Sequence, residues 1–510
     1  MSSRLRPAAA GALAAGSALA ISELAAGLIG SVPSLVESVA GVFIDNVPPG
    51  LKQLAIDTFG TNDKLALVVG ITIVTLLLGT VVGVLARHRI WVAVVVFAGF
   101  GVLSSWSAIH LDESVSGSII GGGLAALTGL LVLVWLYSLA EKDGSPEPSR
   151  PTGTVTRRAF ITGAGAVLGL AALSAGAGRV LIARAKRMIA GRDEVVLPKP
   201  AQAAAPPPQA ASLSVPDLSS LITPNNLFYK IDTTLSPPRV DLATWSLRID
   251  GMVDRPYELT FDQLLEMDMV ERYVTLSCVS NEVGGHLVSN AKWLGVPLQE
   301  ILDRARVQSG AGQVVGRSVD GFTVGFPTEV VYDGRDAMVA VGMNGEPLPF
   351  AHGFPARLVV AGLYGYVSAT KWLSEIELTT WDAFDAYWVP RGWSKEGPVK
   401  TQSRIDTPGN RSTIATDPRA IAGVAWAPNR GISRVEVQID EGAWMEAELA
   451  QALDKDTWRQ WQVEWTPQPG SHRLRVRATD GTGQTQTSDI ARPAPDGATG
   501  WHTIQVTVQA

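Results

Sequence analysis

"YVTLSCVSNEVGG" spans Tyr273–Gly285 and holds Cys278, the single cysteine of a 510-residue chain. A β-rich run precedes it and a Gly-rich turn follows. One thiol closes no intrachain disulfide, and the C-x-x-C spacings of structural zinc, iron–sulfur clusters and c-type haem are absent. Four readings remain open: a buried spectator, an intermolecular bridge, a nucleophile, or a thiolate given to one metal. The surrounding chain decides among them.

On either side of this stretch, from Ile222 to about Asp406, strand-like and helix-like runs alternate irregularly. "WSLRIDG" (Trp245–Gly251), "RLVVAG" (Arg357–Gly362) and "SEIELTTW" (Ser374–Trp381) read as strands, and "TFDQLLEM" as a short helix capped by Thr260. Mixed elements without regular β-α repetition predict an α+β domain over 222–406. Beyond "SRIDTP" the pattern turns to period two. Val435, Val437 and Ile439 share one face, as do Leu474, Val476 and Ala478, and Trp461, Val463 and Trp465. Residues 407–510 are expected to form an Ig-like β-sandwich serving packing and assembly, with a homodimer formed through it.

The N-terminal third is apolar. Pro7–Gly30, Leu65–Ala86, Ile90–Ile109, Gly117–Leu139 and Ala159–Leu181 each reach the roughly 20 residues needed to span a bilayer. This predicts an all-α membrane domain over 1–183 with about five helices. Arg4, Arg6, Arg87, Arg89, Arg157 and Arg158 flank the ends expected in the cytoplasm, while Asp112 and Glu113 lie in a loop expected outside. A multi-pass protein of the plasma membrane follows, with everything after about residue 181 extracytoplasmic. "TVTRRAFITGAGAVLGLAAL" (Thr154–Leu173) resembles an internal twin-arginine export signal and reads equally well as a basic helix flank. His88 and His110 are the histidines of this part. About 20 helical residues put them roughly 30 Å apart, too far to clamp one haem, so no haem is expected. "LPKPAQAAAPPPQAASLSVPDLSS" (Leu197–Ser220) reads as an Ala/Pro linker within 184–221. A net charge of −6 gives no reason to expect nucleic acid as a partner.

"TPNNLFYKID", "TLSCVSNEVGGHLVSNAKWLGVPL", "AVGMNGEPLPFAHGFPARLVVAGLYGYVSATKWLSEIEL" and "KTQSRIDTP" occur in that order. With the sandwich-like tail, they resemble the sulfite oxidase family of molybdopterin enzymes over roughly Ile222–Val508. The resemblance implies a Mo-molybdopterin cofactor with Cys278 as thiolate ligand of molybdenum and as the catalytic residue. It implies a cradle of Asn226, Tyr229, Lys230, Ser318, His352, Arg357, Ala369, Thr370 and Lys371. Polar partners suit a pterin rich in donors and acceptors, and Arg357 and Lys371 suit its phosphate.

The chain departs from the family's pattern on the substrate side. Sulfite oxidases place arginines and a tyrosine around the metal. Here Val279-Ser280-Asn281-Glu282 follows the cysteine, Val341-Gly342 stands at the tyrosine's place, and Lys230 and Asp232 replace an arginine and a histidine. The family also includes a periplasmic reductase of oxidised methionine that lacks the arginine fork. Oxygen-atom transfer on a neutral small molecule, a sulfoxide or N-oxide, is therefore expected, with an unidentified redox partner. Asn281, His286, Trp388, Arg391 and Lys395 are candidates for the pocket mouth. Two other readings stay open: a sulfite oxidase-like dehydrogenase passing electrons to quinone or a periplasmic carrier, and a non-catalytic membrane binding or assembly protein.

Overall fold

Among the described residues the N-terminal apolar runs fold as six helices: α1 (Leu5–Leu28), α2 (Leu35–Asn46), α3 (Asp63–Ala86), α4 (Trp91–His110), α5 (Val115–Glu141) and α6 (Gly153–Ile189). The computed structural model describes residues 5–29, 32–47, 58–59, 63–110, 115–141, 153–189, 191–234, 237–238 and 240–509. Side chains at 45–46, 63, 104, 108–110, 115, 140–141, 153–157 and 183–189 are outside this description. So are Asp112 and Glu113, Asp143, and the side chains of His110 and Arg157. Two compact units form: residues 1–190 with 233–236, and residues 191–232 with 237–510.

In the first unit, four helices are long and apolar enough to cross a membrane: Leu5–Leu28, Lys64–Ala86, Ser116–Leu139 and Arg158–Ile182. The expected span at Ile90–Ile109 folds as the 20-residue helix α4, whose described side chains are apolar over Trp91–Ser107. Small residues let α1 approach its neighbours closely. A Cβ on Gly11 would meet Gly79 O at 2.0 Å, and one on Gly27 would meet Gly178 O at 2.8 Å. Glu23 is buried; it accepts from Ser34 Oγ at 2.5 Å and Arg179 Nε at 3.0 Å. Removing a carboxylate from water demands such partners.

The second unit is built from four sheets. One orders β2 (Tyr257–Thr260), β1 (Ser246–Gly251), β10 (Leu373–Thr379), β5 (Gln313–Ser318) and β6 (Thr323–Pro327), with β1 and β10 parallel. Another orders β3 (Val270–Ser277), β4 (Val288–Pro297), β7 (Ala337–Met343) and β8 (Glu346–Pro347), and β9 (Arg357–Val360) also pairs with β7. The helices here are short: α7 (Phe261–Leu265), α8 (Leu298–Ala305) and α9 (Gly365–Ser368). The region is therefore more strand-rich than the α+β expectation. Thr260 caps α7 as expected, and its hydroxyl accepts from Gln263 N–H while the Gln263 side chain returns the bond. Trp293, Leu247, Ile249 and Phe326 anchor the core.

The period-two tail folds as β11 (Gln402–Thr407), β13 (Arg419–Trp426), β17 (Arg459–Trp465) and β16 (Glu448–Leu449), facing a sheet of β12 (Thr413–Ala415), β19 (His502–Gln509), β18 (Gly470–Asp480), β14 (Ile432–Ile439) and β15 (Met445–Glu446). The predicted stripes meet between the two sheets: Val435, Val437, Leu474, Val476, Ala478 and Trp461 are all fully buried. One pair, β12 with β19, is parallel. The Ala/Pro stretch is not a free spacer within this unit. Gln202 bridges Val270, Ala211 is buried, and Leu213 N–H donates to Gln460 Oε1 at 2.7 Å. Its backbone groups find β3 and β17 as partners, so they need no solvent.

Candidate functional site

Strand β3 ends at Ser277 and delivers Cys278 into a closed loop. Cys278 N–H donates to Leu287 O at 2.9 Å, and Asn281 N–H donates to Cys278 O at 3.1 Å. Asn281 Oδ1 accepts from Leu287 N–H at 2.8 Å. A Cβ on Gly285 would lie 2.6 Å from that same oxygen, so glycine is required there. Asn281, expected at a pocket mouth, is buried and fastens the loop instead. Glu282 and His286 are exposed.

Burial pushes the Cys278 thiol up, and the N–H and hydroxyl of Ser280 work the other way. A free thiol here stays protonated; only a strong electrophile such as a metal turns it into a thiolate. Two phenols stand within electrostatic reach. Tyr229 is raised by burial first and by Cys278 second, with Arg357 opposing. Tyr364 is pushed up to about 12 by burial, with Cys278 again contributing. The position a Cβ would take on Gly365 lies 3.7 Å from Tyr229 Oη and 3.9 Å from Ser277 O. Tyr229, the cysteine strand and the start of α9 therefore border one space.

The remaining predicted cradle residues gather beside it. His352 is buried, its Nε2 donates to Asn225 O at 2.8 Å, and burial pushes it down to about 4. The ring is neutral at ordinary pH, with Nδ1 left as an acceptor. Arg357 is 5% exposed and lies over the Trp293 ring at 5.0 Å. Its Nη1 donates to His352 O at 3.1 Å and its Nε to Leu358 O at 3.3 Å, with no carboxylate partner among the described residues. Burial lowers it to about 10, with Tyr229 acting in the opposite direction. Leu358 N–H donates to Thr370 O at 2.9 Å, which sets Arg357 beside Lys371. Thr370 Oγ1 donates to Gly316 O at 3.3 Å, and Val319 N–H to Trp372 O at 2.9 Å, so the end of β5 with Ser318 lies alongside. Ala369 N–H closes α9 on Gly365 O at 3.0 Å. Asn226 and Lys230 are exposed on the preceding segment.

A buried guanidinium without a counter-anion, a neutral imidazole acceptor and a lone buried thiol fit an anionic, thiolate-ligated group. One feature was not foreseen. Lys371 pairs with Asp232, which occupies the position expected of a histidine, and also donates to Ala351 O at 3.1 Å. Sequence reading also missed Asn225, Asn344 and Tyr364. Asn344, with φ of 53°, donates through Nδ2 to Asn225 Oδ1 at 2.7 Å and so holds the loop that receives His352. The Asn344-Gly345 pair is a turn signal that pointed to it.

The other mouth candidates are engaged elsewhere. Lys395 pairs with Asp385 at 2.7 Å and donates to Trp381 O at 3.0 Å. Arg391 donates to Tyr387 O at 2.6 Å and stacks 3.7 Å over that ring. Trp388 packs edge-on to Trp393 at 6.1 Å, which in turn meets Tyr366 of α9 at 5.8 Å.

The buried thiol that follows β3, the buried Arg357 and the neutral His352 are side chains that suit a bound anionic cofactor. Residues 234–388 match the oxidoreductase molybdopterin binding domain family. The chain is 31% identical to the uncharacterized oxidoreductase YuiH of Bacillus subtilis (strain 168), over 36% of this chain and 90% of that protein. It is 27% identical to the mitochondrial sulfite oxidase of Rattus norvegicus, over 57% of this chain and 62% of that one. The sulfane dehydrogenase SoxCD from Paracoccus pantotrophus is a similar solved structure, with TM-score 0.49 and 25% identity over 57% of this chain and 82% of that one. The chain belongs to the sulfite oxidase family of molybdopterin-binding oxidoreductases. It spans less than two thirds of the length of the sulfite oxidases it matches.

Proposed function

We propose that this protein is a membrane-anchored oxidoreductase that exchanges an oxygen atom with a neutral small molecule, a sulfoxide or N-oxide, on the outer side of the membrane. One observation carries the reading: the loop after Cys278 contributes no cation. Lys230, Arg357 and Lys371 lie on the segments assigned to the cofactor, while Arg391 and Lys395 are engaged by Tyr387 and Asp385. A dianion such as sulfite would find no charge-assisted fork there.

When bound, the molybdenum cofactor supplies two-electron oxygen-atom exchange. Cys278 would furnish the thiolate, and Arg357, Lys230 and Lys371 would neutralise the cofactor's phosphate. His352 Nδ1 and Tyr229 Oη would meet its polar edges. In the reductive direction a sulfoxide takes two electrons and two protons and leaves as a sulfide and water. The relatives named for sulfite and nitrate act on oxyanions, which makes sulfite the proper comparison substrate.

The test is kcat/KM for sulfite and for a methyl sulfoxide on one preparation, with a dye as electron acceptor or donor. Two missing charge-assisted bonds lower sulfite's kcat/KM by roughly two to four powers of ten against a dedicated sulfite oxidase. Sulfite turnover at a dedicated enzyme's efficiency would reject the reading.

A further inference from the structure

The loop that carries Cys278 is clamped from outside the molybdopterin-binding region. Arg404, on β11, is 3% exposed and pairs with Asp406 at 2.6 Å. Its Nη1 donates to Gly285 O at 2.8 Å, at the far end of the Cys278 loop. Its Nη2 donates to Ser219 Oγ at 2.9 Å, at the end of the Ala/Pro stretch. Ser219 is fixed in turn: its N–H donates to Asp406 Oδ2 at 3.1 Å, and its carbonyl accepts from Gln460 Nε2 at 2.7 Å. A second contact lies beside the first. Ile405 N–H donates to His502 Nδ1 at 3.0 Å, and the imidazole lies flush on Gly284, where a Cβ would meet Cδ2 at 2.1 Å. Gly284 has φ of 79°, so this stretch of the loop is held in the left-handed region.

We propose that Arg404 is a positioning residue for the Cys278 thiolate: through Gly285 it fixes the 278–287 loop, with Asp406 and Ser219 fixing the guanidinium. The proposal rests on the reading of Cys278 as the metal's ligand. A surface ion pair would contribute little. This one is buried, and each guanidinium nitrogen ends on a different chain segment, which is the arrangement that sets geometry. The tail expected to serve packing and assembly reaches the same loop through His502.

Cys278 is the only cysteine, so alkylation of the full chain reports on this loop alone. The measurement is the alkylation rate of protein from cells unable to make the pterin, with loaded protein examined in parallel for its thiolate-to-metal absorption. Losing a hydrogen bond to a charged group should let Arg404→Gln label roughly tenfold or more faster than wild type. Arg404→Lys, which retains the charge and one donor, should fall between them, and its absorption band should lie closer to wild type. Val435→Ala, in the sandwich core, controls for general loss of stability and should label at the wild-type rate. Arg404→Gln labelling no faster than wild type overturns the proposal; so does Val435→Ala labelling as fast as Arg404→Gln. Failure of the ligand reading looks different: loaded Cys278→Ser would then keep the wild-type absorption band and full activity, whatever the labelling rates.

Discussion

Asp456 offers the sharpest electrostatic test of how the C-terminal sheets join the molybdopterin-binding region. It is fully buried, and its carbonyl accepts from Thr275 N–H at 2.9 Å, three residues before Cys278. Oδ1 accepts from Asn429 N–H at 2.6 Å, whereas Oδ2 has no partner. Burial, then Asp336, push its pKa up to about 6 from 3.8; the Asn429 N–H and Lys455 work against them. A carboxyl raised in the fold is destabilising once ionised. Stability is therefore unaffected below about pH 4, falls as pH rises from about 4 to 6, and stays lowered above. Two pKa units correspond to about 3 kcal/mol at the upper limit. Asp456→Asn keeps an oxygen for Asn429 and places a neutral donor where Oδ2 faced other carboxylates. The expected result is a variant more stable than wild type at pH 7.5, by up to about 3 kcal/mol, with the difference vanishing near pH 4. Denaturant unfolding followed by tryptophan fluorescence suits this, because Trp458 is buried two residues away. An Asn variant less stable at pH 7.5, or an unchanged difference between the two pH values, would refute the account.

Three further expectations can be checked directly. Cys278→Ser should lose molybdenum-dependent activity, because an alkoxide is a harder and more basic ligand than a thiolate; full activity on equal metal content would remove the ligand assignment. A reporter fused after Asp143 should read cytoplasmic and one after Pro207 extracytoplasmic, as the arginine-flanked ends imply, and both reading the same side would break the topology. Restoring arginine at Ser280 or Asn281 should raise sulfite's kcat/KM relative to a methyl sulfoxide's, measured across ionic strength; at Asn281 the gain competes with loss of its bond to Leu287.

What the sequence could show depended on distance along the chain. Period-two stripes such as Leu474, Val476 and Ala478 are local, and they fold as read. Cys278 stood out because it was alone, and the motif around His352 and Arg357 because its residues adjoin. The misses are long-range pairings. Arg404 finds Gly285 across 119 positions, and Glu23 finds Arg179 across 156. Nothing local marks Asp232 as the partner of Lys371. The Ala/Pro stretch misled for the same reason: its composition lacks a core, but its backbone groups are satisfied by distant strands. The helix at Trp91–His110 was legible for the opposite reason, because its apolar run is local.

That docked Ala/Pro stretch also bears on the order of assembly. Leu221 O accepts from Trp458 Nε1 at 2.8 Å, a separation of 237 residues, and Ser219 O from Gln460 across 241. Contacts of such high order close late, since the loop they enclose must first be synthesised and ordered. As the chain is made, the helices described up to Ile189 are complete long before the strands near residue 460 emerge. Until then residues 197–221 have no β17 to rest on. The nascent chain thus completes its apolar helices before the strand that docks residues 197–221 exists.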